Sequence, residues 1–100
     1  MIAEIQCLPT PAGTADDRYA HIHAAIEVAR NSGLRWEVGP LGTSIEGPPD
    51  AVWSLLRAMH DACLTSGAGS VVTVLKVAEG AGDGPDSGPG IDDLTDRYRS

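Results

Sequence analysis

In the stretch WEVGPLGTSIEG, residues 36–47, two carboxylates, Glu37 and Glu46, stand on either side of the short turn Gly39-Pro40-Leu41-Gly42. Acids mounted on flanking strands serve either as a solvated sheet face or as a site for a cationic small molecule, whose charge a carboxylate answers by charge-assisted hydrogen bonds. Alternation along the strands sets Glu4, Gln6, Arg35, Glu37, Ser44 and Glu46 on the sheet face turned away from the helices. A polar exposed face or a wet subunit interface explains the same pattern.

The other reactive residue types organise less well. His21 and His23 are two apart in a helical stretch, so their side chains point about 200° apart and do not converge on one ion. No metal site is expected, and His60, beside the apolar stripe of the second helix, reads as a hydrogen-bonded structural histidine. Cys7 and Cys63 are far apart in sequence, without CxxC spacing, and read as small core residues in a reducing compartment. Neither a GxSxG elbow nor a cysteine with an activating histidine is present, and no catalytic residue is assigned. The glycines of GAGDG, residues 80–84, follow a strand, but no helix opens directly behind them to hold a phosphate. Trp36 and Trp53 read as core mass between sheet and helix.

These residues need a scaffold, and 100 residues make one domain. IAEIQCL alternates as a half-buried strand and ends at Pro9 and Pro11. Thr14 is expected to cap a first helix through DDRYAHIHAAIEVARNSG, with Tyr19, Ile22, Ile26 and Ala29 at helical spacing and Gly33 as its stop. LRWEVG and TSIEG form two antiparallel strands about the turn. Pro48, Pro49 and Asp50 open a second helix whose Val52, Leu55, Leu56, Met59 and Cys63 form one stripe, ended by Gly67. SVVTVLKVA is a β-branched fourth strand. Two strand-helix-strand units with right-handed crossovers predict a ferredoxin-like α+β sandwich (βαββαβ), a four-stranded antiparallel sheet with both helices on one face.

The domain is expected over residues 1–78, followed by a Gly, Pro and Asp-rich linker at 79–90 and a short amphipathic tail at 91–100. The tail places Ile91, Leu94 and Tyr98 on one side and docks on its own domain or a neighbouring subunit. Seven Lys and Arg against 14 Asp and Glu give a formal charge of -7, which disfavours nucleic acid and anionic membrane surfaces. No secretion signal and no membrane span is read from the sequence, and a cytoplasmic protein is expected. Small size makes burial by self-association favourable, so a homo-oligomer, dimer or tetramer, is expected.

Together IAEIQCLP, LRWEVGPLGTSIEG and AMHDACLTSGAGSVVTVLKV resemble the thiamine-binding protein family of ferredoxin-like fold, the YkoF-like group, over residues 2 to about 77, most specifically from Glu37 to Gly47. The resemblance implies a small cytoplasmic homo-oligomer that binds thiamine or its hydroxymethylpyrimidine moiety, without catalysis and without a cofactor. Under it, Glu37 and Glu46 answer the ligand's charge or amino group. Gln6, Thr43 and Ser44 supply neutral donors and acceptors, and an apolar or aromatic wall stacks on the pyrimidine. Glu46, on a central strand, is expected to carry much of the polar recognition. The Gly-rich tract is longer than the family pattern. The alternative is a structural assembly protein whose polar sheet face is a subunit interface; an enzyme acting on a thiamine-like base ranks third.

Overall fold

The computed structural model describes residues 1–82 and 88–99; the remainder of the expected linker, residues 83–87, and residue 100 lie outside the described residues. Element order is β1 (Ile2–Thr10), α1 (Ala20–Arg30), β2 (Arg35–Val38), β3 (Thr43–Glu46), α2 (Pro49–Thr65), β4 (Ser70–Ala78) and α3 (Ile91–Thr95), which runs into a 3-10 turn at Asp96–Tyr98. The sheet is antiparallel throughout, in the order β2-β3-β1-β4. That is the ferredoxin-like sandwich its sequence periods predict.

Paired residues share a sheet face, so the registers assign the faces. Ala3 lies opposite Ile45 and Ile5 opposite Thr43, while Ile45 lies opposite Trp36. These residues face the helices, and Ala3, Ile5 and Ile45 are buried with Val52, Leu55, Leu56, Met59 and Cys63 of α2 and Ala25 and Ala29 of α1. Glycine ends both helices where the chain needs the left-handed region: Gly33 has φ 81° and Gly67 φ 125°.

Three expectations are corrected here. The first helix starts at Ala20, not behind Thr14. The Thr14 hydroxyl accepts the Asp17 N–H at 3.0 Å, and Asp17 carbonyl and carboxylate oxygens accept the N–H groups of Thr14, Ala20 and Tyr19. These short-range bonds hold residues 14–19 as a turn that competes with helix. The buried face of α1 is then His21, Ala25 and Ala29, with Ile22 and Ile26 half-buried and Tyr19 exposed. Trp53 is 47% exposed on α2, and only Trp36 packs against the core. In the tail, α3 spans five residues before the 3-10 turn shifts its phase, so Ile91 is buried while Leu94 and Tyr98 are exposed.

Candidate functional site

β1 is nine residues long and β3 only four. Their pairing runs from Ile2 opposite Glu46 to Ile5 opposite Thr43 and stops there, because the chain leaves β3 through the turn at residues 39–42. The Met1 carbonyl accepts the Gly47 N–H on the β3 side, so strand alternation directs the N–H and C=O of Cys7 to that side as well, past the end of the pairing. A cavity of about 380 Å³ fills this gap. Its floor is β1 at Ile5 to Leu8, one wall is Tyr19 just before α1 with Ile22 and Ile26 of α1, and the opposite wall is Val38 to Thr43. The site is therefore an apolar slot with an aromatic ring at its rim, the Thr43 residue at its base and a strand edge able to donate and accept a hydrogen bond.

On the far side of the same turn, a recess of about 290 Å³ is lined by Glu4, Glu37, Ser44 and the turn itself. Register explains the clustering, since Glu37 lies opposite Ser44 and Ser44 opposite Glu4, a row across three strands of the open face. Space is tight at Gly42: a Cβ there would stand 3.1 Å from the Ile5 carbonyl oxygen and 3.2 Å from the Glu4 side chain.

The tail crosses this open face. Arg99 donates to both carboxylate oxygens of Glu37 at 2.8 and 3.0 Å and also bonds Asp92 and Asp96, while Arg35 donates to Asp92 at 2.6 Å. Its hydrogen bond to Asp92 and the Glu37 carboxylate raise the Arg99 guanidinium further, and Arg99 and Arg35 hold the Asp92 carboxyl below its ordinary range. The Glu46 carboxylate accepts the Ile91 N–H at 2.5 Å, and the Asp93 carboxylate accepts the Gly90 N–H at 2.9 Å. Gly90 has no side chain with which to cap α3, and Glu46 supplies the cap from β3.

The five expected ligand residues are thus not gathered into one pocket. Gln6 and Thr43 border the apolar slot, Glu37 and Ser44 border the recess behind the turn, and Glu46 borders a third hollow beside Gly90 and Asp93. Tyr19, Ile22 and Ile26 complete the slot; their helical spacing marked them for the core, and the early end of β3 leaves them over a gap. Cys7 lines the slot's floor, and burial, then the nearby Cys63, pushes its thiol up to about 12. Burial likewise raises Cys63. His60 lies outside the slot, joined to Thr73 by a hydrogen bond of 2.6 Å between Nδ1 and Oγ1. Among the described residues, no three His, Cys, Asp or Glu side chains converge as a metal site, and no helix is long and apolar enough to cross a membrane.

The chain is thus a ferredoxin-like sandwich with an apolar slot and an acidic recess on either side of one turn. The chain belongs to the Thiamine-binding protein family, whose model matches residues 3–86. It is 29% identical over 96 residues to a UPF0045 protein of Clostridium perfringens, covering 95% of this chain and 93% of that one. A solved Bacillus cereus domain of unknown function is similar at 30% identity and TM-score 0.77, over 99% of this chain and 91% of that chain. A Thermotoga maritima protein, described as a candidate thiamine biosynthesis/salvage protein, shares the fold at TM-score 0.78 and 23% identity, over 98% of this chain and 97% of that chain.

Proposed function

We propose that this protein binds thiamine or its hydroxymethylpyrimidine moiety, as a cytoplasmic homo-oligomer and without chemical turnover, with the pyrimidine in the slot between α1 and the β2–β3 turn. The observation that carries this reading is the end of β1–β3 pairing at Ile5 and Thr43, which leaves the Cys7 edge of β1 facing a cavity of ligand size. An aminopyrimidine presents an amino donor beside a ring-nitrogen acceptor, and a strand residue presents its C=O and N–H side by side in the complementary sense. Ile22, Ile26 and Val38 supply apolar walls, and Tyr19 a ring face for stacking or for the thiazolium charge. Glu4 and Glu37, behind the turn, add negative potential in a chain of formal charge -7, which favours a cation.

Calorimetry with thiamine and with hydroxymethylpyrimidine tests the proposal, with Ile22→Trp to fill the slot. Heat that disappears in Ile22→Trp supports it; no heat at millimolar ligand from a folded wild type removes it. The assembly reading draws on a separate observation, the exposed Leu8, Val72 and Val74 beside the polar rows of the open face, and would then stand ahead.

A further inference from the structure

β2 is a lightly supported strand. It has four residues, lies at the edge of the sheet beside β3, and packs one side chain, Trp36, against the core, while Arg35, Glu37 and Val38 are exposed. The turn that follows is closed by the Gly39 N–H, which donates to the Gly42 carbonyl at 2.8 Å. Val38, this turn and Thr43 form the outer wall of the slot. A wall mounted on so short an edge strand opens at little cost unless something else holds it.

The tail supplies that support from the open face. Strand alternation turns Trp36 and Val38 toward the helices and Arg35 and Glu37 toward the tail. Both of the latter are engaged. Arg35 donates to Asp92 at 2.6 Å, Arg99 donates to the same Asp92 oxygen at 2.7 Å, and Arg99 donates again to Glu37 at 2.8 and 3.0 Å. Arg35, Asp92, Arg99 and Glu37 thus form a chain of alternating charge that begins and ends on β2. A network of this kind holds its side chains better than an isolated exposed pair. The other strand of the hairpin is tied by Glu46, which accepts the Ile91 N–H, and Ile91 itself is buried. The tail therefore grips β2 at two residues and β3 at one, with the slot wall between them in sequence.

We propose that the tail, residues 88–99, is a clamp that positions the slot wall: docked, it holds the β2–β3 hairpin in the binding geometry, and released, it lets the hairpin move and the slot retain its aminopyrimidine less tightly. Arg35, Asp92 and Arg99 are then positioning residues, which act on the ligand through Val38 and the turn without touching it. The inference rests on the slot of the proposed function. A hairpin already ordered by the tail loses less freedom when the ligand arrives, and the coupling is reciprocal, so a ligand in the slot also tightens the tail. The opposite arrangement, Arg99 as a cation competing with the ligand for Glu37, requires tighter binding once the tail leaves. The sign of the coupling separates the two.

Gly90→Ala, whose Cβ would overlap the Glu46 carboxylate, frees the tail from outside the hairpin and without a change of charge. With no ligand present, hydrogen exchange of the Gly39 N–H should then quicken at least about fivefold while amides of the β1–β4 ladder keep their wild-type rates. A general loss of stability would quicken both. Hydroxymethylpyrimidine at pH 8, where its ring is uncharged and indifferent to a freed Glu37, should bind Gly90→Ala at least about fivefold more weakly than the wild type. In the wild type the same ligand should slow exchange of the Ile91 N–H. Two results would overturn the proposal: an unchanged Gly39 rate in a variant whose Ile91 amide has reached its free position, or pyrimidine binding by that variant as tight as the wild type's or tighter. Should Gly90→Ala leave the tail docked, Ile91→Asp, which sets a charge in the buried contact, takes its place in both measurements. A wild type that binds no pyrimidine removes the ligand from the slot, and Gly39 exchange still decides the clamp.

Discussion

The guanidinium of Arg99 grips the carboxylate of Glu37 with two hydrogen bonds, at 2.8 and 3.0 Å, across 62 residues of sequence. A protein cation thus already sits on one of the two carboxylates that flank the β2–β3 turn, and the tail that carries it is fastened chiefly by ions. Besides the buried Ile91, what holds it are the contacts of Arg99 with Glu37, of Arg35 with Asp92, and of Glu46 with the Ile91 N–H.

Exposed ion pairs are screened by salt, so tail docking should weaken between 0.05 and 1 M NaCl. It should also weaken in acid. The Asp92 carboxyl is held below its ordinary 3.8 by the Arg99 hydrogen bond and then by Arg35. A depressed carboxyl stabilises the docked tail fully above its ordinary pKa, and that contribution drains away as pH falls below about 3.8 through the depressed value. The Ile91 amide resonance, followed by NMR with pH and salt, should move toward its position in a peptide of residues 88–99. An amide unmoved by either would show that Ile91 alone holds the tail.

Gly90 tests the same docking without altering a charge. A Cβ at this position would overlap the Glu46 carboxylate, so Gly90→Ala should free the tail even though its φ of -93° suits alanine. Glu46→Gln keeps the shape and loses the charge-assisted bond, which is worth about 1 to 2 kcal/mol here. Trypsin should cut at Arg97 several times faster in Gly90→Ala than in the wild type, with Glu46→Gln between them.

The fold was legible because each element carries its own period, and the register about Gly39–Gly42 was set by a turn too short for any alternative. The helix stripe from Val52 to Cys63 and the strand Ser70–Ala78 stand where their residues place them. Alternation also put Glu37, Ser44 and Glu46 on one face. It could not say that Ser44 pairs with Glu4 while Glu46 pairs with Ile2, and this separates Glu46 from the acidic row. The slot arises from a length mismatch between β1 and β3, which no single segment reveals. The tail's position was hidden for another reason: it docks by Arg99, Asp92 and the Glu46 cap, not by an apolar stripe.

Cys7 gives an alkaline prediction. Its thiol is pushed from 9.0 to about 12, burial being the largest cause. A raised acid favours the folded state fully while pH stays below the unfolded value; the advantage turns to loss as pH climbs from 9.0 toward 12, where only the unfolded thiol ionises. Stability should therefore fall as pH rises across that window. Urea midpoints at pH 8 and pH 10.5 should differ less in Cys7→Ala than in the wild type. Identical losses in both proteins would assign the effect elsewhere. At pH 8 the folded wild type should also react with iodoacetamide far more slowly than the urea-unfolded chain.

The binding account stands or falls on the slot. Titration calorimetry of the wild type with thiamine, beside Ile22→Trp and Glu37→Gln, is its most direct test. Filling the slot should weaken binding at least tenfold, about 1.4 kcal/mol or more, whereas Glu37→Gln, half exposed and already paired with Arg99, should change it by less than about threefold. Binding that survives Ile22→Trp but collapses in Glu37→Gln would contradict the account and move the ligand to the acidic recess behind the turn.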